Sequence, residues 1–172
     1  MLRDSLRGYF RERALTPGDA GADEDLWRSF AEDLGVLGVS VPGEQGGLGG
    51  GAVEEMIIME ELGRALIRQP FLETVVAGAA ILSRSSSAAA AAILAQIIAG
   101  KCRLAYAWAE EAAGINLSRI ATTARKTPDG WQLSGVKSLV AALPDASHLI
   151  VLARVVEDAR GLGMFLVEKD SS

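Results

Sequence analysis

The spacing of the apolar residues changes near Gly100, and this change constrains the fold more than any other feature of the sequence. Before Gly100, apolar residues recur at helical spacing, as on the buried face of an amphipathic helix. From Lys101 onwards they alternate with polar or small residues, as in half-buried strands, and Leu104, Tyr106 and Trp108 begin this pattern. The sequence therefore predicts an α+β protein, with an all-α domain over residues 1–100 and a β domain over residues 101–172.

The first half divides into helical segments separated by glycine, proline and serine. We expect the first helix to begin at Leu2 and to end before Thr16-Pro17-Gly18, and the second to begin at Asp23-Glu24-Asp25, where the helix dipole favours carboxylates. Val39-Ser40-Val41-Pro42 is predicted to be extended, because the residue before a proline avoids the α region. Further helices are predicted over residues 52–67, 71–82 and 88–99, the last one ending at Gly100.

The second half is predicted to form an incomplete antiparallel β-barrel. Thr127-Pro128-Asp129-Gly130 is a type I turn signal and predicts a hairpin. Strands are predicted over residues 104–109, 120–126, 131–134, 136–141, 148–155 and 164–167.

Composition excludes several classes of function. The chain has 17 basic and 22 acidic residues, a net charge of −5, and no basic stripe, so nucleic-acid binding is not expected. A single cysteine, Cys102, and a single histidine, His148, rule out an intrachain disulfide and a cysteine-cluster or histidine-rich metal site. The N-terminus lacks a secretory apolar segment and no apolar run is long enough to span a membrane, so we expect a cytoplasmic protein.

Two patterns in the first half allow a functional and a structural interpretation. The loop over residues 43–51 is mostly glycine and could hold a phosphate, but it lacks a Gly-Lys-Ser/Thr ending, which favours a simple turn. Glu54, Glu55, Glu60 and Glu61 could act as paired acid and base, whereas their helical spacing favours a solvated face. Glu60 and Arg64 are expected to form an i,i+4 pair.

Several segments, taken in order, resemble the acyl-CoA dehydrogenase family. The signature lies in residues 33–49 and continues in residues 59–65 and 69–74. Helices followed by a β-barrel are also the order of domains in that family. The resemblance covers essentially the whole chain.

The resemblance implies an FAD-dependent oxidoreductase that dehydrogenates an acyl-CoA thioester at the α and β carbons. In the family the flavin lies between the β domain and a C-terminal helical domain, which carries the carboxylate that removes the α-proton. The sequence ends inside the implied β domain, so we expect the catalytic base to lie outside it and assign no catalytic residue. The resemblance also implies homo- or hetero-oligomers with acyl-CoA dehydrogenase subunits.

The same resemblance implies where the flavin would bind, and the sequence departs from the family there. Ala109 and Ala141 stand where the family has hydroxyl side chains, Ile115 replaces a serine, and Leu139 replaces a tryptophan. The lost contacts weaken FAD binding by about 2–4 kcal/mol. The implied cofactor-binding residues are Tyr106, Trp108, Ala109, Gly114, Ile115, Leu139, Val140 and Ala141.

Three interpretations follow from these departures. The chain is part of a flavin-dependent acyl-CoA dehydrogenase, or it is a non-catalytic partner subunit with a degenerate flavin site, or it is a remnant without function. Because an incomplete barrel leaves a strand edge unpaired, we also expect the isolated chain to self-associate or to need a partner.

Overall fold

A computed structural model describes residues 1–13, 23–158 and 161–169. The chain divides into two compact units, Met1–Arg103 and Leu104–Ser172. Helices make up the first unit and strands the second, which confirms the predicted order of a helical part followed by an incomplete sheet. The predicted end of the first helix at Thr16-Pro17-Gly18 lies outside the described residues. Within the described ranges, no helix is both long and apolar enough to cross a membrane.

The helical unit follows the predicted segments closely. Its α-helices are α1 (Leu2–Glu12), α2 (Glu24–Glu32), α3 (Ala52–Arg64), α4 (Ala80–Leu82) and α5 (Ala88–Ile98). A π-helix, Leu72–Ala79, runs directly into α4, so the predicted helix over 71–82 is present but more widely wound over most of its length. Asp23 caps α2, and its carboxylate accepts hydrogen bonds from the backbone N–H groups of Asp25 and Leu26.

The extended conformation predicted for residues 39–42 is wrong at Val39. Val36–Gly38 forms a 3-10 helix, and Val39 keeps helical angles of φ −56° and ψ −45°. The glycine-rich loop folds back onto this segment, and the N–H of Gly50 donates to the carbonyl of Val39 at 2.8 Å. A Cβ on Gly47 would lie 2.1 Å from the Val41 carbonyl oxygen, so only glycine allows the approach. This geometry supports the turn interpretation of residues 43–51.

An aromatic and aliphatic core holds the helical unit together. Phe30 on α2 packs beside Trp27 of the same helix and beside Phe10 on α1, with ring centroids about 6 Å apart in each pair. The largest fully buried side chains of this unit include Leu6, Leu26, Trp27, Phe30, Leu37, Ile58 and Phe71.

The strands form one mixed sheet. They are β1 (Leu104–Ala107), β2 (Thr123–Thr127), β3 (Gly130–Ser134), β4 (His148–Val155) and β5 (Leu162–Glu168). Along β4, β5 pairs antiparallel, whereas β1 and the start of β2 pair parallel. The predicted antiparallel arrangement is therefore found for β2–β3 and β4–β5, but it is wrong for the pairing of β1 and β2 with β4. Period-two spacing predicts strands but not their direction, and the long connection over residues 108–147 provides the crossover that parallel pairing requires.

The connection between β3 and β4 corrects one predicted strand. Residues 136–141 form a loop instead, in which Leu139 has φ 52° and Ala142 follows with φ 60°. Left-handed residues cannot continue an extended strand. The hairpin predicted at Thr127–Gly130 is confirmed, since these two residues face each other at the end of β2 and β3.

Candidate functional site

Two loops of the sheet unit lie side by side where the flavin-binding residues are predicted. We call residues 108–116 the β1 loop and residues 135–142 the β3 loop. The backbone N–H of Ser138 donates to the carbonyl of Ala109 at 3.0 Å. The Lys137 ammonium lies 2.7 Å from Oε1 of Glu110 and 3.4 Å from the Trp108 carbonyl. The structure thus joins the two predicted segments through a backbone hydrogen bond and an ion pair.

Glu110 is the centre of this arrangement. Its side chain is 7% exposed, and its two oxygens accept hydrogen bonds from the N–H of Ala121 at 2.7 Å and the N–H of Thr122 at 3.0 Å. The Thr122 hydroxyl also donates to Oε1. Every one of these donors favours the ionised carboxylate.

The charge state of Glu110 follows from these contacts. Burial alone would raise the pKa of Glu110, but hydrogen bonds from Lys137, from the Thr122 hydroxyl and from two backbone N–H groups together lower this pKa to about 2. Lys137 is only 10% exposed at its side chain, so the ion pair is buried on both sides. The two loops are therefore fixed to each other by a charged pair that is costly to break.

The sequence analysis did not identify the Glu110–Lys137 pair. It also missed Thr122, which no pattern in the sequence distinguished. One signal was available: two residues of opposite charge sit in the two segments that the resemblance places at the same site. A lysine and a glutamate in two such segments can form an ion pair with a charge-assisted hydrogen bond.

The predicted site residues differ in how they face solvent. Trp108 packs against the buried residues Ala113, Ile120 and Leu152. Tyr106 is half-buried, and burial raises the pKa of its phenol. Gly114 has φ 55° and pairs with Glu110 in an isolated β-bridge. Ala109 and Val140 are half-buried and Ala141 is exposed.

The most outward-facing predicted residues are apolar. Ile115 on the β1 loop is 90% exposed and Leu139 on the β3 loop is 95% exposed, and Val136 on the β3 loop is also exposed. We call Ile115, Val136 and Leu139 the apolar tips. Neither alanine at the predicted hydroxyl positions can donate or accept through its side chain. At these two predicted positions, therefore, only the backbone could offer a hydrogen bond to a flavin.

One carboxylate of α3 corrects the prediction of a solvated glutamate face. Glu61 is 1% exposed and accepts hydrogen bonds from Arg3 and Arg7 of α1, both at 2.8 Å. Hydrogen bonding from Arg7 lowers the pKa of Glu61 against the effect of burial, and Arg3 adds to it. The predicted Glu60–Arg64 pair is present at 3.8 Å. Glu61 thus joins α1 to α3, and no group of three or more potential ligands for a metal ion occurs among the described residues.

A helical unit followed by a partial, unclosed mixed sheet is consistent with a fragment of the acyl-CoA dehydrogenase fold. Residues 1–101 match the family model of the acyl-CoA dehydrogenase N-terminal domain, and residues 105–172 match that of the middle domain. The chain belongs to the acyl-CoA dehydrogenase family.

Individual relatives support this assignment. The chain is 31% identical to (2S)-methylsuccinyl-CoA dehydrogenase of Cereibacter sphaeroides, over 98% of this chain and 33% of that protein. It is 42% identical over 71 residues to acyl-CoA dehydrogenase IpdE2 of Mycobacterium tuberculosis, which is 41% of this chain and 22% of that protein. Among solved structures, it superimposes on the Tcur3481-Tcur3483 steroid ACAD with a TM-score of 0.85 and 25% identity, covering 99% of this chain and 47% of that one. The chain thus spans about a third or less of these two curated relatives.

Proposed function

We propose that this chain contributes the N-terminal and middle domains to an FAD-dependent acyl-CoA dehydrogenase system, which dehydrogenates an acyl-CoA thioester between its α and β carbons. The observation that carries this proposal is the buried Glu110–Lys137 pair, which fixes the β1 and β3 loops side by side. A loop pair held in this way keeps its backbone groups in a constant geometry, as a cofactor-binding surface requires. Family membership supplies the class of reaction.

Within such a system, a second candidate role is that of a non-catalytic partner subunit. The specific observation that favours it is the apolar tips, of which Ile115 and Leu139 are almost fully exposed. Exposed apolar side chains grouped on adjoining loops are typical of a surface that another protein covers. The relative named as the Tcur3481-Tcur3483 steroid ACAD carries two components in its name, which makes a two-component assembly a reasonable expectation for this chain.

Flavin binding separates the two roles. We expect the purified chain to carry little or no FAD, because the hydroxyl positions hold Ala109 and Ala141. The double variant Ala109→Thr/Ala141→Thr should bind FAD about 5- to 150-fold more tightly, since two neutral hydrogen bonds add about 1–3 kcal/mol. Affinity is measured by flavin fluorescence quenching during titration with the chain.

The matched control is Ala112→Thr, which places a hydroxyl on an exposed position of the same β1 loop outside the predicted contacts. It should leave FAD affinity unchanged. A wild-type chain that is isolated with one FAD per polypeptide would contradict the partner-subunit role. A double variant with no gain over wild type would contradict the assignment of these loops to the flavin surface.

Association tests the partner role directly. We expect light scattering to show self-association of the isolated chain, or a complex with an added acyl-CoA dehydrogenase subunit. The double variant Ile115→Ser/Leu139→Ser should reduce this association, because it removes the two most exposed side chains of the apolar tips. A dilution-independent monomer that does not associate with any family subunit would contradict the role.

A further inference from the structure

A pocket of about 260 Å³ lies in the helical unit, and none of its lining residues belongs to the β1 or β3 loop. It forms where the first turns of α2 meet the chain that leaves α5. Its lining residues are Glu24, Trp27, Arg28, Gly100, Lys101 and Arg103.

Gly100 allows the two segments to approach. It ends α5 with φ 70°, and a Cβ there would lie 3.0 Å from Cβ of Ala31 and 3.2 Å from Cα of Arg28. Both the left-handed angle and the short distances favour glycine at this position. The result is that Lys101 and Arg103 leave the end of α5 directly beside Arg28 on α2.

The pocket concentrates positive charge in an acidic protein. Arg28, Lys101 and Arg103 line the pocket together with one carboxylate, Glu24, in a chain whose net charge is −5. Outside the lining, the exposed carboxylate of Asp25 also pairs with Arg28, at 3.2 Å. Glu24 lies 3.2 Å from the guanidinium of Arg103 and its side chain is largely exposed, whereas that of Arg103 is mostly buried. An ion pair with an exposed glutamate adds little stability. An anion that binds Arg103 more strongly can therefore displace the Glu24 carboxylate.

A buried donor in the same wall gives a second observation. Trp27 is 1% exposed, and its indole N–H has no hydrogen-bond partner among the described residues. Buried N–H groups in native proteins are nearly always paired, so Trp27, which lines the pocket, carries an unusual unpaired donor.

We propose that this pocket binds a phosphate dianion, either inorganic phosphate or the phosphate group of an organic monoester. Arg28 and Arg103 provide planar guanidinium donors that match phosphate oxygens, and Lys101 adds a third positive charge. The bound dianion replaces the Glu24 carboxylate at Arg103. The proposal is independent of flavin binding and of acyl-CoA turnover.

Isothermal titration calorimetry on the full chain tests the proposal. The ligands are inorganic phosphate and adenosine 5′-monophosphate, with chloride as the competing anion at a constant ionic strength of about 0.1 M. We expect saturable binding of one phosphate per chain. Arg28→Gln and Lys101→Gln should each weaken binding at least tenfold, while Glu24→Gln should tighten it several-fold because it removes the competing carboxylate.

Arg68→Gln is the matched control, since Arg68 is an exposed arginine of the same unit outside the pocket, and it should bind like wild type. The opposite sign expected for Glu24→Gln separates ligand binding from general destabilisation. Tighter binding of the nucleotide identifies an organic monoester as the ligand, and equal affinities identify free phosphate. Absence of saturable binding, unchanged affinity in Arg28→Gln and Lys101→Gln, or weaker binding in Glu24→Gln would each overturn the proposal.

Discussion

Glu61 in the helical unit and Glu110 in the sheet unit are both buried, but they are held in different ways. Glu61 is held by side chains, and its arginine partners on α1 remain about a third exposed, at 32% for Arg3 and 37% for Arg7. Glu110 accepts hydrogen bonds from two backbone N–H groups, a hydroxyl and a lysine that is only 10% exposed. Glu61 links α1 to α3 through arginines that are partly exposed, whereas Glu110 is buried between the β1 and β3 loops.

This difference decides what is lost when each carboxylate is removed. Without Glu61, water can solvate the Arg3 and Arg7 side chains in their present positions. Without the Glu110 charge, Lys137 stays buried beside the backbone donors of Ala121 and Thr122, and water cannot reach them equally well. An unpaired buried charge costs far more than an exposed one. The geometry of the candidate site therefore depends on Glu110, whereas Glu61 affects only helix packing.

The largest effect should come from Glu110→Gln. The amide keeps the shape of the side chain but removes its charge, which leaves Lys137 buried without a counterion. We expect the sheet unit to lose about 3–5 kcal/mol of stability. Hydrogen exchange at the Thr122 amide measures this loss locally, because that N–H donates to Glu110 at 3.0 Å.

The control for this prediction is Glu111→Gln on the neighbouring, exposed residue. Surface substitutions of this kind change stability by less than about 0.5 kcal/mol. If the two variants behaved alike, the Glu110–Lys137 pair would not hold the loops together.

Lowering the pH should destabilise the wild-type chain by protonating Glu110. The pKa of Glu110 falls from its ordinary value of 4.5 to about 2 on folding, so the unfolded chain binds the proton more tightly. The resulting stability, about 3 kcal/mol, is fully present above pH 4.5 and is lost as the pH falls towards 2. The pKa of Glu61 is also lowered, so its contribution has the same sign.

Urea denaturation at a series of pH values, monitored in the sheet unit, measures this loss. Glu110→Gln should flatten the profile between about pH 4.5 and 2, since it removes the group that titrates there. A variant with the same slope as the wild type would show that other carboxylates cause the acid sensitivity.

Glu61→Gln should have a smaller effect than Glu110→Gln. The partly exposed arginines of α1 keep access to water, and the glutamine oxygen still accepts one hydrogen bond. We expect the melting temperature of the helical unit to fall by a few degrees, measured by circular dichroism at 222 nm. Glu60→Gln is the control, because Glu60 accepts from Arg3 at 2.8 Å from a more exposed position, and its effect should be close to zero. If the melting temperature fell equally in Glu61→Gln and Glu60→Gln, burial would not explain the contribution of Glu61.

Patterns local in sequence predicted most of the fold. Helical spacing located α3 and α5, and the β4 strand was predicted with its observed bounds, His148–Val155. Such features depend on the spacing of nearby residues, which is visible in a single sequence. The turn at Thr127–Gly130 was predictable for the same reason, since proline and glycine fix its backbone angles.

Features that depend on distant residues could not be predicted. Glu61 has a sequence environment typical of a solvated face, and only the packing of α1 on α3 buries it. Residues 136–141 alternate like a strand, but the Ser138 N–H and the Lys137 ammonium bind the β1 loop instead of a strand partner. In the candidate site, the resemblance identified both loops, while the contacts that join them required the tertiary structure.

A smaller effect than that of Glu110→Gln should come from Thr122→Val, which tests the hydroxyl contribution to the Glu110 cluster. Valine has nearly the shape of threonine, so the substitution removes one donor to the carboxylate and leaves the backbone N–H groups and Lys137 in place. We expect a loss of about 1 kcal/mol, also measured by exchange at neighbouring amides. Thr123→Val is the matched control, because the Thr123 hydroxyl only reaches the Ser134 carbonyl at 3.4 Å and is exposed there. A loss in Thr122→Val as large as that in Glu110→Gln would mean that the hydroxyl, and not the buried ion pair, orders the two loops.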